Sequence, residues 1–164
     1  MTIRFGILTL SDRSARGERE DASGPALADL IRAQNWSVTE QAILADDESA
    51  IRAMLIAWAD SGRFDVILTT GGTGFAPRDV TPEATRAVVQ RETPGLAEAM
   101  RSESLKKTPH AMLSRAVAGI RGRTLIINLP GSPKGAMENL QIVLPVLPHA
   151  VQLLTEDPGA EASH

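Results

Sequence analysis

The chain has 164 residues and no cysteine, so one domain with its own core is expected, and disulfides, thiolate metal sites and cysteine nucleophiles are excluded. Apolar residues make up 43% of it, which argues against disorder, and a formal net charge of −3 has the wrong sign for bulk nucleic-acid binding. No apolar run approaches the ~20 residues that span a bilayer, and "MTIRFGILTL" has no basic segment leading an apolar signal core, so a soluble, cytoplasmic protein with no membrane and no nucleic-acid partner is expected.

In chain order, residues 3–10 ("IRFGILTL") form an apolar run ending in polar "SDRS" and read as a buried strand. The turn-rich "ARGEREDASG" follows as a loop, and Ser23 reads as the N-cap of a helix whose Leu27, Leu30 and Ile31 share one face. Residues 36–44 are the second strand candidate. After "ADDE", Ile51, Met54, Leu55 and Trp58 recur at i, i+3, i+4 and i+7, an amphipathic helix capped by Asp46 or Asp47 and stopped by Gly62. "DVILTT" is the third strand. Thr81–Pro82, Thr93–Pro94 and Thr108–Pro109 each pair a cap with a proline at the first helical position, opening helices over 82–91, 94–105 and 109–114. "RAVAGIRG" turns at Gly122 into "RTLIINLP", a fourth core strand. Residues 136–144 and 145–154 are helical with a break at Pro145, and 156–164 read as a flexible tail behind a single domain over 1–155.

Strands alternating with helices imply a layered α/β sandwich with a mainly parallel central sheet. Right-handed crossovers gather the loops that follow the strands at one end, where ligands bind in such folds. Four polar loops meet that description: "SDRS", "ADDE", "TTGGTGFAPRD" and "NLPGSPKG".

In the third loop, Gly71, Gly72 and Gly74 permit positive φ and close approach to main-chain N–H groups, while Thr69, Thr70 and Thr73 add hydroxyls. It is no P-loop, since G-x-x-x-x-G-K-[ST] is absent, and Pro77 replaces the third glycine of the dinucleotide fingerprint. A tight strand-to-helix turn would need fewer glycines, so an anionic, phosphate-bearing ligand is expected. Asp79 in the same loop would repel a bare phosphate unless Mg²⁺ bridges them; its bland role is helix capping, for which Thr81 is better placed. Asp12 reads as a metal-side carboxylate or as half of a local ion pair with Arg13. Ser132 and Lys134 sit on a loop braced by Pro and Gly; Lys134 reads as a phosphate partner or as a solvated lysine. Arg115, beside Ser114, could fork onto a phosphate or carboxylate, or form a surface ion pair.

"GILTLSDR", Asp21–Gly24, "DDE", "TTGGTG" with "RDVTPEA", "MLSRAVAGI" and "LIINLPGSPKG" occur in an order that resembles the molybdopterin adenylyltransferases, relatives of the gephyrin G domain, over about residues 3–154. The resemblance implies a three-layer α/β/α sandwich, a homotrimer, and transfer of AMP from ATP, with Mg²⁺, onto the terminal phosphate of molybdopterin, releasing pyrophosphate. It implies handover to the molybdate-insertion enzyme. Asp79 and Asp47 match the two essential acids of the family and are the expected Mg²⁺ or positioning groups. Thr70, Gly71, Gly72, Thr73 and Gly74 match the ligand-binding loop, Ser114 a pocket position, Pro130, Gly131, Ser132 and Lys134 the second loop, and Asp12 and Arg13 the loop after the first strand. A non-catalytic molybdopterin-binding homologue is the alternative; retention of Asp47 and Asp79 argues for the enzyme.

Overall fold

The computed structural model describes residues 1–163; His164, at the end of the expected tail, lies outside the described residues. The chain begins with β1 (Arg4–Leu10), a one-turn helix α1 (Asp12–Ala15), α2 (Ser23–Ala33), β2 (Ser37–Leu44), α3 (Glu48–Asp60) and β3 (Val66–Thr70). It continues with α4 (Thr81–Val88), the two-residue β4 (Arg91–Glu92), α5 (Pro94–Leu105), β5 (Ala118–Arg121), β6 (Thr124–Leu129), α6 (Pro133–Val143) and α7 (Leu147–Leu154). Short 3₁₀ turns occupy Pro109–Leu113, Leu144–Val146 and Pro158–Ser163.

One six-stranded sheet runs in the order β2-β1-β3-β6-β5-β4, and β2, β1, β3 and β6 are parallel. The three inner parallel strands are apolar on both faces, as a sheet covered on both sides requires. Ile7, Leu68 and Ile127 pack with Leu27, Ile31, Leu140 and Val151 on one face, while Leu8, Ile67 and Ile126 pack with Ile51, Leu55 and Trp58 on the other. The fold is therefore a three-layer α/β/α sandwich with a largely parallel sheet. No helix among the described residues is long and apolar enough to cross a membrane.

Several expected details change. Ser23 and Thr81 are the first residues of α2 and α4 rather than their side-chain caps, because each hydroxyl has a distant partner: Ser23 donates to the Gly131 carbonyl at 2.6 Å and Thr81 to the Gly71 carbonyl at 2.9 Å. Thr93 occupies its cap position without a capping bond, whereas Thr108 accepts from the His110 amide at 3.3 Å. The helix expected over 82–91 ends at Val88, since Gln90 donates its amide to Ile120 and Arg91–Glu92 joins the sheet edge antiparallel to β5. At the C-terminal end, Pro158–Ser163 forms a 3₁₀ turn with Ala160 buried.

Candidate functional site

The loops after β1, β2, β3 and β6 converge at the carboxyl end of the sheet, and their hydrogen bonds hold the glycine loop between β3 and α4 in a fixed shape. Gly71 has φ +107 and Gly72 φ +68, and a Cβ on Gly71 would run into the Leu10 carbonyl oxygen. The carbonyls of this loop all have partners: Thr81 Oγ1 donates to Gly71 O, Thr81 N to Gly72 O at 3.2 Å, Arg115 N to Thr73 O at 2.8 Å, and Arg115 Nε to Gly74 O at 2.8 Å. The amides of Gly72, Thr73 and Gly74 donate to nothing among the described residues. A run of main-chain N–H groups with their carbonyls held behind is an anion cradle.

The β6–α6 loop touches the glycine loop: a Cβ on Gly131 would come within 3.3 Å of the Gly71 Cα. Thr70 is buried, and its hydroxyl ties the two loops by donating to Pro130 O at 2.7 Å. Ser132 caps α6 by accepting from the Gly135 amide at 3.1 Å, and Lys134 is exposed in the helix's first turn. Behind the loops, buried Asn128 donates both amide hydrogens, to the Thr69 and Thr85 hydroxyls at 2.9 Å each. Thr69 thus belongs to the scaffold.

On one side of the glycine loop lies a cluster of acids. Asp12 and Asp46 clasp each other across two loops, each amide donating to the other's carboxylate at 3.0 Å. The Arg78 guanidinium forks onto Asp12 at 2.9 and 2.8 Å, replacing the expected pairing with Arg13, which is exposed. That fork, with the Asp46 amide, lowers the Asp12 carboxyl to about 2. Burial, aided by the charges of Asp12 and Asp79, pushes Asp46 up against the opposing bond from the Asp12 amide. Asp46 Oδ1 is buried without a hydrogen-bond partner, 3.1 Å from where a Cβ on Gly72 would stand. Asp79 Oδ2 accepts from the Ala76 amide at 3.0 Å. Asp47 is the N-cap of α3, accepting from Ala50 at 3.1 Å, and faces solvent beside this cluster. Sequence reasoning treated Asp46 only as a capping candidate; its outward neighbour takes the cap and leaves Asp46 turned toward the glycine loop.

On the other side is a cavity of about 310 Å³, mostly apolar, lined by Thr73, Gly74, Ser114, Pro130 and Ser132 among the expected residues. Its far wall comes from α5, the turn after it and α6, and includes Met100, Arg101, Lys107 and Glu138, none of them an expected site residue. Arg115 does not line it: its Nη1 donates to both Glu83 carboxylate oxygens, at 2.8 and 2.9 Å, and its Nη2 donates to the Asp79 carbonyl at 2.7 Å.

A doubly covered, largely parallel sheet that carries a glycine-loop anion cradle beside a mostly apolar cavity and an acid cluster is the frame of a small-molecule-binding α/β protein. The family model for a probable molybdopterin binding domain matches residues 6–149, and the chain belongs to this molybdopterin-binding family of molybdenum cofactor biosynthesis, related to gephyrin. It is 46% identical to the molybdopterin adenylyltransferase of Helicobacter pylori over 155 residues, covering 93% of this chain and 88% of that protein. It is 45% identical to gephyrin of Dictyostelium discoideum over 163 residues, covering 93% of this chain but 23% of gephyrin. The chain thus spans about a quarter of such longer relatives. Among solved structures, the molybdopterin biosynthesis enzyme MoaB of Thermus thermophilus superposes with a TM-score of 0.90 at 55% identity, covering 96% of this chain and 99% of that one.

Proposed function

We propose that this protein binds molybdopterin, with the phosphate on the glycine loop and the pterin in the adjoining cavity. The observation that carries the reading is the set of amides at Gly72, Thr73 and Gly74, unpartnered within the chain while the loop carbonyls are tied to Thr81 and Arg115. Calorimetry with molybdopterin tests it. Binding that is lost when inorganic phosphate competes at high concentration is expected; no heat from the folded protein would sink the proposal.

Adenylyl transfer is a second reading, favoured by the acids on the opposite side of the same loop. An oxygen of the molybdopterin phosphate would attack the α-phosphorus of ATP, the bond from that phosphorus to the bridging oxygen would break, and pyrophosphate would leave. The nucleophile is already ionised, so no general base is required, and the work is positioning and charge neutralisation. Among the described residues no group of three or more acids or histidines is arranged to hold a metal. The residues suit a Mg²⁺ ion that keeps water and phosphate ligands and takes only one or two carboxylates, which Asp79, Asp47 or the orphaned Asp46 oxygen could supply. Such an ion would neutralise the polyphosphate. Asp79 and Asp47 remain the proposed catalytic acids, with Asp46 added. Incubation with molybdopterin and Mg-ATP, followed by chromatography for the adenylylated pterin, decides between a transferase and a non-catalytic binder. The homotrimer and the handover to a molybdate-insertion enzyme are part of this proposal on family membership, and light scattering giving a monomer would contradict the trimer.

A further inference from the structure

Resting on the molybdopterin-binding reading above, we infer that Glu138 selects the ring by accepting from the paired N–H groups of its 2-amino-4-oxo edge, with Lys107 beside it facing the 4-oxo group. The cavity lies between the glycine loop and α5–α6, and several of its other polar groups are already engaged, while the Thr73 hydroxyl and the His110 imidazole also line it. Arg101 Nη1 donates to the Ala116 carbonyl at 2.7 Å, Asn139 Nδ2 donates to the Gly135 carbonyl at 2.7 Å, and Ser132 Oγ caps α6. Thr108 and Ser114 hydroxyls accept from nearby amides at 3.3 Å each.

Glu138 is the sole acid in this lining, and among the described residues its carboxylate has one polar partner, Lys107 Nζ at 3.4 Å from Oε1. The glutamate side chain is largely enclosed, at 25% exposure, whereas the lysine is 60% exposed and able to swing. Glu138 also stands at the correct end. Ser132, at the phosphate end, caps α6, and Glu138 lies about 9 Å further along the helix axis. Met100 and Leu113 supply apolar walls between.

The match is chemical. A pterin presents N2–H and N3–H side by side, next to O4. A carboxylate with two acceptor oxygens takes both N–H groups in parallel, the geometry that makes bidentate pairs strong and selective. The neighbouring ammonium supplies a donor for O4. A lumazine keeps N3–H and O4 but carries oxygen at position 2, so it places an acceptor against a carboxylate. A site built around a hydrogen bond rejects the analogue lacking it far more strongly than an apolar pocket rejects a methylene.

The test compares 6-hydroxymethylpterin with 6-hydroxymethyllumazine by fluorescence titration, and molybdopterin by calorimetry, on wild type, Glu138→Gln and Glu138→Asp. Wild type is expected to prefer the pterin by tenfold or more. Glu138→Gln should weaken pterin and molybdopterin binding at least tenfold and bring the pterin-to-lumazine ratio close to one, with Glu138→Asp recovering part of the preference and all three proteins melting alike. An unchanged ratio in Glu138→Gln, or equal losses on both rings, would overturn the assignment. If neither fragment binds, an unchanged molybdopterin affinity in Glu138→Gln overturns it and a tenfold loss supports it. Wild type that fails to bind molybdopterin at all defeats the site reading itself, a separate result from a Glu138 variant that binds as wild type.

Discussion

The two sides of the glycine loop differ in how far the chain completes its own hydrogen bonding. On the acid side, Asp12 is forked by Arg78, Asp46 and Asp12 clasp each other, and Asp79 holds the Ala76 amide. In the glycine loop itself, the amides of Gly72, Thr73 and Gly74 are left without partners among the described residues, and in the cavity Glu138 has, among those residues, one long contact to an exposed lysine. The acids are tied largely by contacts within the chain, whereas these loop amides and Glu138 are not. Buried polar groups without partners are costly, so they persist where something outside the chain satisfies them. Asp46 Oδ1 is the exception among the acids, buried without a hydrogen-bond partner.

The largest expected effect comes from breaking the shape both sides share. Gly71→Ala places a Cβ against the Leu10 carbonyl at φ +107. A loss of about 3 kcal/mol in urea denaturation is expected, together with loss of molybdopterin binding. Stability within about 0.5 kcal/mol of wild type would show that the loop is not held by this glycine.

Arg115→Met comes next. It removes the guanidinium that holds the Gly74 and Asp79 carbonyls and pairs with Glu83, so it loosens the amide cradle without touching the cavity wall. The group is partly exposed, and a loss of about 1–2 kcal/mol is expected, with molybdopterin bound more weakly. Weaker stability with unchanged affinity would mean that the cradle forms without this brace.

These two sites also show what could be read from the chain alone. The parallel strands and the main helices follow from apolar runs and a 3.6-residue period, and both are local signals. Ser23 and Thr81 look like caps locally, but their hydroxyls close contacts 108 and 10 residues away. Arg115 is one surface arginine in the sequence and a central brace in the fold, because its three partners come from the glycine loop and the start of α4. Asp46 and Asp47 are alike in sequence, and only the direction of the α3 N-terminus assigns one to the cap. The cavity wall from α5, the turn after it and α6 is illegible in the chain because Arg101, Lys107 and Glu138 carry no motif and are brought together by helix packing.

A smaller effect separates the two clasped acids by pH. Asp12 titrates at about 2 in the folded protein, below its ordinary value, so its contribution is present above about pH 4 and lost as pH falls toward 2. Asp46 is raised, so its contribution is present below the ordinary aspartate range and lost as pH rises through its folded value. Asp46→Asn keeps a side-chain acceptor for the Asp12 amide and removes the buried charge. In metal-free buffer at neutral pH it should therefore melt higher, by roughly 1–3 °C after allowance for solvent screening, with the gain vanishing below about pH 4. A lower melting point at neutral pH would mean that the charge on Asp46 supports the clasp rather than straining it.

The smallest expected effect concerns Lys134, which lines neither side. It is exposed in the first turn of α6, while the amides of Gly131, Ser132 and Lys134 in the same stretch lack partners among the described residues. A phosphate spanning the two loops would then be held by fixed main-chain donors at a helix N-terminus, with the ammonium adding only a screened point charge. Lys134→Ala should weaken molybdopterin binding by about threefold at low salt, and the difference should disappear near 1 M salt, where the Debye length is about 3 Å. A larger loss that persists at high salt would place the ammonium in direct, desolvated contact with the phosphate. The β6–α6 loop would then bind through a side chain, unlike the glycine loop opposite it.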